Sequence, residues 1–268
     1  MQQDTENFLL FKLKTTFFVT IAIITLVGCS RKVFAKSHNF VRSNSQETQI
    51  QFIPAQKKPP PKRGGNPSAP EGTGSRGKCF ENQDRPPLTI MVGSRNLQLT
   101  VDKHPTFWMY TPYERKEPLS GEFSLQNGDN EVFRTNFNLP TKSGIFSLSL
   151  PPTVPALAIG SKYRWYIDIN CPIAETSIES PAAASLTGVV KRINPSSEMT
   201  MDLNNAKTPV EKIKVYAKYG VWFNTLTDIA QQRIKKPQDA TLNKLWIKLL
   251  SQPEVGLEEI SREPILEK

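Results

Sequence analysis

From Tyr163 to Asn170 apolar and polar side chains alternate: Tyr163, Trp165, Ile167 and Ile169 fall on one face, and Arg164, Tyr166, Asp168 and Asn170 on the other. A period of two predicts a strand with one face buried. Shorter runs of strand formers surround it at Leu88–Val92, Thr106–Tyr110, Gly121–Leu125, Glu131–Phe137, Ile145–Leu150 and Ser185–Ile193. Asn127-Gly128-Asp129-Asn130 joins two of them with hairpin chemistry, and Pro151-Pro152 stops another. The pattern then changes period. Thr208-Pro209-Val210-Glu211 reads as a capping box with proline at the first helical position. Val210, Ile213, Tyr216, Ala217, Gly220, Phe223, Leu226 and Ile229 follow at helical spacing, predicting one long helix to about Arg233. Pro237 ends it. Asp239 is placed to cap a second helix with the stripe Leu242, Leu245, Trp246 and Leu249, antiparallel to the first across a short connection.

Short strands over about a hundred residues, followed by helices, predict an α+β chain: an immunoglobulin/fibronectin-like antiparallel β-sandwich and then a C-terminal helical hairpin. Leu157, Gly160 and Tyr163 also have the spacing at which a tyrosine corner enters a late strand of such sandwiches, the phenol bonding back to upstream backbone. The expected organisation is a signal peptide over 1–28, a tether over 29–78, the sandwich over 79–195, and the hairpin over 208–262, packed on or beside the sandwich.

Composition changes the picture mainly at the amino terminus. The formal net charge of +9 suggests nucleic acid until it is located. Residues 29–87 hold 11 basic and 4 acidic side chains, net +7, while residues 88–268 hold 21 and 19, net +2. The excess therefore lies outside the predicted fold, and a nucleic-acid partner is not expected. The stretch Pro59-Pro60-Pro61-Lys62-Arg63-Gly64-Gly65 lacks apolar period and predicts a disordered basic spacer. Ahead of it, Lys12 and Lys14 precede the apolar run Phe17–Val27, too short for a comfortable membrane span and of the length of an export signal. The run ends in Leu26-Val27-Gly28-Cys29, similar to the lipobox of bacterial lipoproteins, which makes Cys29 a lipidation site. The rival is ordinary signal-peptidase cleavage after Val33-Phe34-Ala35, which would leave a soluble periplasmic protein. Ser30 follows Cys29, so the inner-membrane retention aspartate is absent and the outer membrane is the expected destination.

Export makes Cys79 and Cys171 a candidate disulfide. Closing a loop of about ninety residues would contribute roughly 4 kcal/mol in the chain-entropy model. The plain alternative is two unrelated thiols packed as small hydrophobes.

Gly77-Lys78-Cys79, Pro87-Leu88-Thr89, His104–Tyr110, Gly144-Ile145, Tyr163-Arg164-Trp165, Tyr216-Ala217 and Gly220-Val221-Trp222 together resemble the cyanobacterial family catalogued as domain of unknown function 928. The resemblance runs from about Gly77 to Ile260. It implies a compartment and a source but no activity, and it carries over no functional residues.

The candidate chemistry is sparse. Asp102 and His104 have the spacing of two metal ligands without a third, so no metal and no cofactor is expected. No phosphate loop, dinucleotide fingerprint or nucleophile elbow occurs. Trp108, Tyr113 and Tyr166 are the candidate aromatics for a sugar or peptide ligand. Glu114, Glu117, Glu122 and Asp168 are the carboxylates a glycan or peptide hydrolase would use, against the plain reading of a solvated charged face. The functional expectation is a non-enzymatic, lipid-anchored envelope module for binding or scaffolding, with an envelope protein or glycan as partner. The alternative is an envelope hydrolase.

Overall fold

A computed structural model describes residues 49–55, 84–93, 97–170 and 184–267, all of which belong to one compact unit. Eight strands run in chain order: β1 (Thr89–Ile90), β2 (Leu99–Thr100), β3 (Thr106–Thr111), β4 (Ser120–Asn127), β5 (Asn130–Asn138), β6 (Gly144–Ser149), β7 (Lys162–Ile169) and β8 (Ala184–Arg192). Four helices follow: α1 (Ser197–Asn205), α2 (Pro209–Lys218), α3 (Trp222–Lys235) and α4 (Ala240–Leu250). The described residues thus form a mixed α+β fold with two sheets, one of order β1-β3-β6 and one of order β2-β8-β7-β4-β5, and no closed barrel.

The alternation in β7 is realised. Tyr163, Trp165, Ile167 and Ile169 are buried, Arg164 and Asn170 exposed, and Tyr166 and Asp168 half-buried. The strand lies between β4 and β8, with Trp165 in register with Leu125 on one side and Gly188 on the other. Gly188 is there because the Trp165 indole occupies the space a side chain would take: a Cβ would stand 2.7 Å from the ring. Upstream, the Ala158 N–H donates to the Tyr163 phenol oxygen at 2.9 Å, the local bond expected of the tyrosine-corner spacing. The β4–β5 hairpin turns through Gly128 and Asp129, with Gly128 at φ 61° as the tight turn demands. β5 is an edge strand whose side chains are mostly exposed or half-buried, and its Arg134 is paired with Glu131 and Glu122.

One core joins the layers. Phe107 of β3 meets Phe123 of β4 at 4.9 Å, Trp165 of β7 at 5.0 Å and Phe223 of α3 at 5.6 Å between ring centres. Each such aromatic pair contributes about 0.5–1.5 kcal/mol beyond the area it buries. The helices therefore share the hydrophobic centre of the sheets.

Four features depart from expectation. First, the sheets are not wholly antiparallel, because β2 pairs parallel to β8 through Leu99↔Lys191 and Thr100↔Arg192. Second, α1 was not expected; Ser196 caps it by accepting from the Met199 N–H.

Third, the single long helix predicted from Val210 is two. Its start is as expected, since the Glu211 N–H donates to Thr208 Oγ1 and the Thr208 N–H to Glu211 Oε2. It stops at Lys218 because Gly220 adopts φ 69°, where a Cβ would stand 2.6 Å from the Ile53 carbonyl oxygen and 2.8 Å from the Ala55 nitrogen.

Fourth, that contact comes from residues 49–55, inside the stretch 29–78 assigned to an unpacked tether, and the assignment fails for them. Ile50 and Phe52 are 3% and 2% exposed, and Phe52 stands edge-on to Trp222 at 5.1 Å. The Ile53 N–H donates to the Ala217 carbonyl at 3.0 Å. Gln252 accepts from the Phe52 N–H and donates to the Ile50 carbonyl. Alternating Ile50 and Phe52 are enough to bury this segment once a groove supplies partners for its backbone.

Candidate functional site

The three candidate aromatics do not form one surface. Trp108 is buried, and its indole N–H donates to Thr227 Oγ1 at 3.0 Å, so it ties β3 to α3. Tyr113, just beyond β3, is half-buried, and burial pushes its phenol pKa up. Tyr166 is half-buried on the side of β7 opposite Trp165.

The candidate carboxylates are mostly engaged. Glu114 accepts from Arg85 at 2.7 Å, Glu122 from Arg134, and Asp168 from the Ser185 hydroxyl, while Glu117 is exposed. Glu122 and Asp168 are register partners on β4 and β7, which brings two carboxylates side by side. His104 Nε2 lies 2.8 Å from the Val154 carbonyl, a structural bond at the bend before Pro105. Among the described residues no group of three or more His, Cys, Asp or Glu is arranged to hold a metal. Cys29, Cys79, Cys171 and the Val33-Phe34-Ala35 site lie outside the described residues.

A cavity of about 210 Å³ lies at the far end of α3. Arg233 and Ile234 of the last turn form one wall, Pro237 of the α3–α4 turn and Asn243 of α4 a second, and Pro264, Ile265 and Glu267 a third. The third wall is fixed to β6: the Ile145 N–H donates to the Pro264 carbonyl at 2.7 Å and the Leu266 N–H to the Ile145 carbonyl at 2.8 Å. Gly144 permits this approach, since a Cβ there would stand 2.7 Å from the Pro264 oxygen.

Arg233 is held from two sides. Its Nε donates to Asn243 Oδ1 at 2.9 Å, and the Asn243 amide is itself oriented by donating to the Pro237 carbonyl at 3.2 Å. The guanidinium carbon sits 4.8 Å from the Trp246 ring centre, a cation–π distance. Trp246 is fully buried and anchored through its indole N–H to the Ser261 carbonyl at 3.0 Å. Nη1 of Arg233 is buried with no partner among the described residues. Burial is the sole cause that moves this guanidinium's pKa, and it moves it down. Arg233 is thus an oriented, partly desolvated cation that shares the cavity lining with Glu267. Its sequence signal is a basic residue on an apolar stripe, since Arg233 continues Leu226, Ile229 and Ala230 at helical spacing.

A second titratable group lies elsewhere on α3. Burial pushes the Asp228 carboxyl up, Asp102 adds to the shift, and Lys212 and Lys235 oppose it. The Tyr216 phenol is pushed up to about 12 by burial and by the same two aspartates.

Comparison with curated proteins and with solved structures finds no match in either. The family model described as Domain of Unknown Function (DUF928) matches residues 71–265, from ahead of β1 through the tail that walls the cavity, and the chain belongs to that family.

Proposed function

We propose that the chain is a non-enzymatic, exported cell-envelope protein: a module for binding or scaffolding, lipid-anchored through Cys29 and facing the periplasm, more consistent with the outer than the inner membrane. In this reading the two sheets are the layers of an immunoglobulin/fibronectin-like sandwich, the C-terminal helices form its appendage, and Cys79 is bonded to Cys171. The observation that supports the binding role is the cavity at the end of α3, where Arg233, Asn243 and Glu267 stand among the apolar side chains of Ile234, Pro237, Pro264 and Ile265. Export rests on the apolar run Phe17–Val27 and the Leu26-Val27-Gly28-Cys29 sequence.

Fatty-acid labelling and membrane fractionation of the full chain and of Cys29→Ala test the anchor. Label and membrane association are expected in the parent and lost in the variant; an unaltered membrane fraction in the variant rules lipidation out. A mature amino terminus at Lys36 would instead support cleavage after Ala35. Peptide mapping without reductant should recover Cys79 joined to Cys171.

The alternative, an envelope hydrolase acting on glycan or peptide, draws on the pairing of Glu122 with Asp168 across β4 and β7. It requires hydrolysis of an envelope polymer by the purified chain that is lost in Glu122→Gln. Polymer left intact by the parent chain refutes it.

A further inference from the structure

We propose that the α2–α3 corner and Gln252 form a peptide-binding groove, at the opposite end of α3 from the cavity, whose partner is an extended peptide with apolar side chains at alternate positions. Residues 49–55 are its built-in occupant and show how such a peptide is read. Their side chains alternate, Ile50 and Phe52 buried and Gln49, Gln51 and Ile53 exposed, so two positions are selected by side chain. The backbone supplies the bonds. Gln252 Oε1 accepts from the Phe52 N–H at 2.8 Å, Gln252 Nε2 donates to the Ile50 carbonyl at 3.2 Å, and the Ala217 carbonyl accepts from the Ile53 N–H at 3.0 Å. A sheet edge takes an added strand in the same way, with affinity from main-chain bonds and selectivity from alternate pockets.

The walls of the groove are fixed from behind. Gln252 Nε2 also donates to the Lys248 carbonyl at 3.3 Å, and the Trp222 indole, which meets Phe52 edge-on, donates to the Met91 carbonyl at 2.6 Å. Gly220 keeps the path open, since a Cβ there would stand 2.6 Å from the Ile53 oxygen. Ala217, Gly220, Trp222 and Gln252 all fall within 71–265, the stretch matched by the family model, and the occupant lies ahead of it. The domain therefore carries the groove, and the occupant is an addition to it. A peptide from another chain with the same alternation meets the same two pockets and three bonds. It competes with a resident in the same molecule, present at an effective concentration on the order of millimolar, so the resident restrains binding.

The test is fluorescence anisotropy of a labelled peptide corresponding to Gln49–Ala55, blocked at both ends, titrated with the full chain and with the full chain carrying Ile50→Asp and Phe52→Asp. The double variant cannot bury two carboxylates in place of its apolar anchors, so its own segment is released. It should bind the peptide saturably, and the parent chain at least about tenfold more weakly, because its resident competes. Phe52→Ala in the peptide should weaken binding by about a hundredfold, whereas Gln51→Ala, at an exposed position, should leave it unchanged. Gln252→Ala added to the double variant removes two backbone bonds and should weaken the peptide by about tenfold. A second arm needs no variant: unlabelled peptide at several millimolar, added to the ¹⁵N-labelled parent, should displace the resident and speed hydrogen exchange at its Ile53 amide. Absence of saturable binding to a double variant that near-ultraviolet circular dichroism shows to be folded, equal affinity for the Phe52→Ala peptide, or unchanged Ile53 exchange would overturn the proposal. If the double variant melts, the second arm decides alone.

Discussion

Phe52→Ala tests whether residues 49–55 belong to the folded body. The side chain is 2% exposed and packs edge-on against Trp222, which is itself fully buried. Truncating a buried phenylalanine costs about 3–5 kcal/mol, the sum of lost transfer free energy and the cavity left behind. This site has a ceiling that an interior strand lacks. The segment is held by Ile50, Phe52, the Ile53–Ala217 bond and the two bonds to Gln252, so it can release as a unit and leave the rest folded. The loss therefore cannot exceed the free energy with which the segment docks, and about 3 kcal/mol is expected. Urea denaturation of the full chain measures it, and hydrogen exchange at the Ile53 amide, bonded to the Ala217 carbonyl, reports the local release. Phe52→Ala combined with Gln252→Ala should cost less than the sum of the two, because both changes open the same contact. A loss below about 1 kcal/mol with unchanged protection at Ile53 would refute the docking.

Gly188→Ala should destabilise the fold by about 1–3 kcal/mol in thermal or urea unfolding, because the added carbon meets the Trp165 ring; a neutral result would mean that the indole sits elsewhere. Tyr163→Phe removes the acceptor of the Ala158 N–H and should cost about 1–2 kcal/mol, with faster exchange at that amide. Asp228→Asn should stabilise the chain at neutral pH. The folded carboxyl titrates above its unfolded value, so the penalty for charging it is absent below the unfolded pKa and complete above the raised folded one. The gain should therefore shrink as melting temperatures are measured toward acid pH, and a gain that grew in acid would reverse the assignment.

The features legible from residue order are those written in local chemistry. Alternation about Trp165 places β7, the Gly128-Asp129 turn places the β4–β5 hairpin, and Thr208 with Glu211 starts α2. The features that escape depend on distant partners. Leu99 and Thr100 are too few to show a period, and they become a strand only by pairing with Lys191 and Arg192. The apolar stripe runs unbroken through Gly220; the break after Lys218 is imposed by Ile53 and Ala55, which pass too close for any side chain. Trp108, with strand neighbours on both sides, is drawn inward by Thr227, whose hydroxyl satisfies the indole. The cavity is the same kind of case, since Asn243, Trp246 and the tail that reaches β6 meet Arg233 only once the helices and the sheet are assembled.

Because the chain seats Phe52 before it reaches β1, any tension applied ahead of Gln49 enters the molecule through the α2–α3 corner and Gln252. The seven residues 49–55 are therefore where a pull from the amino-terminal side first meets the folded body.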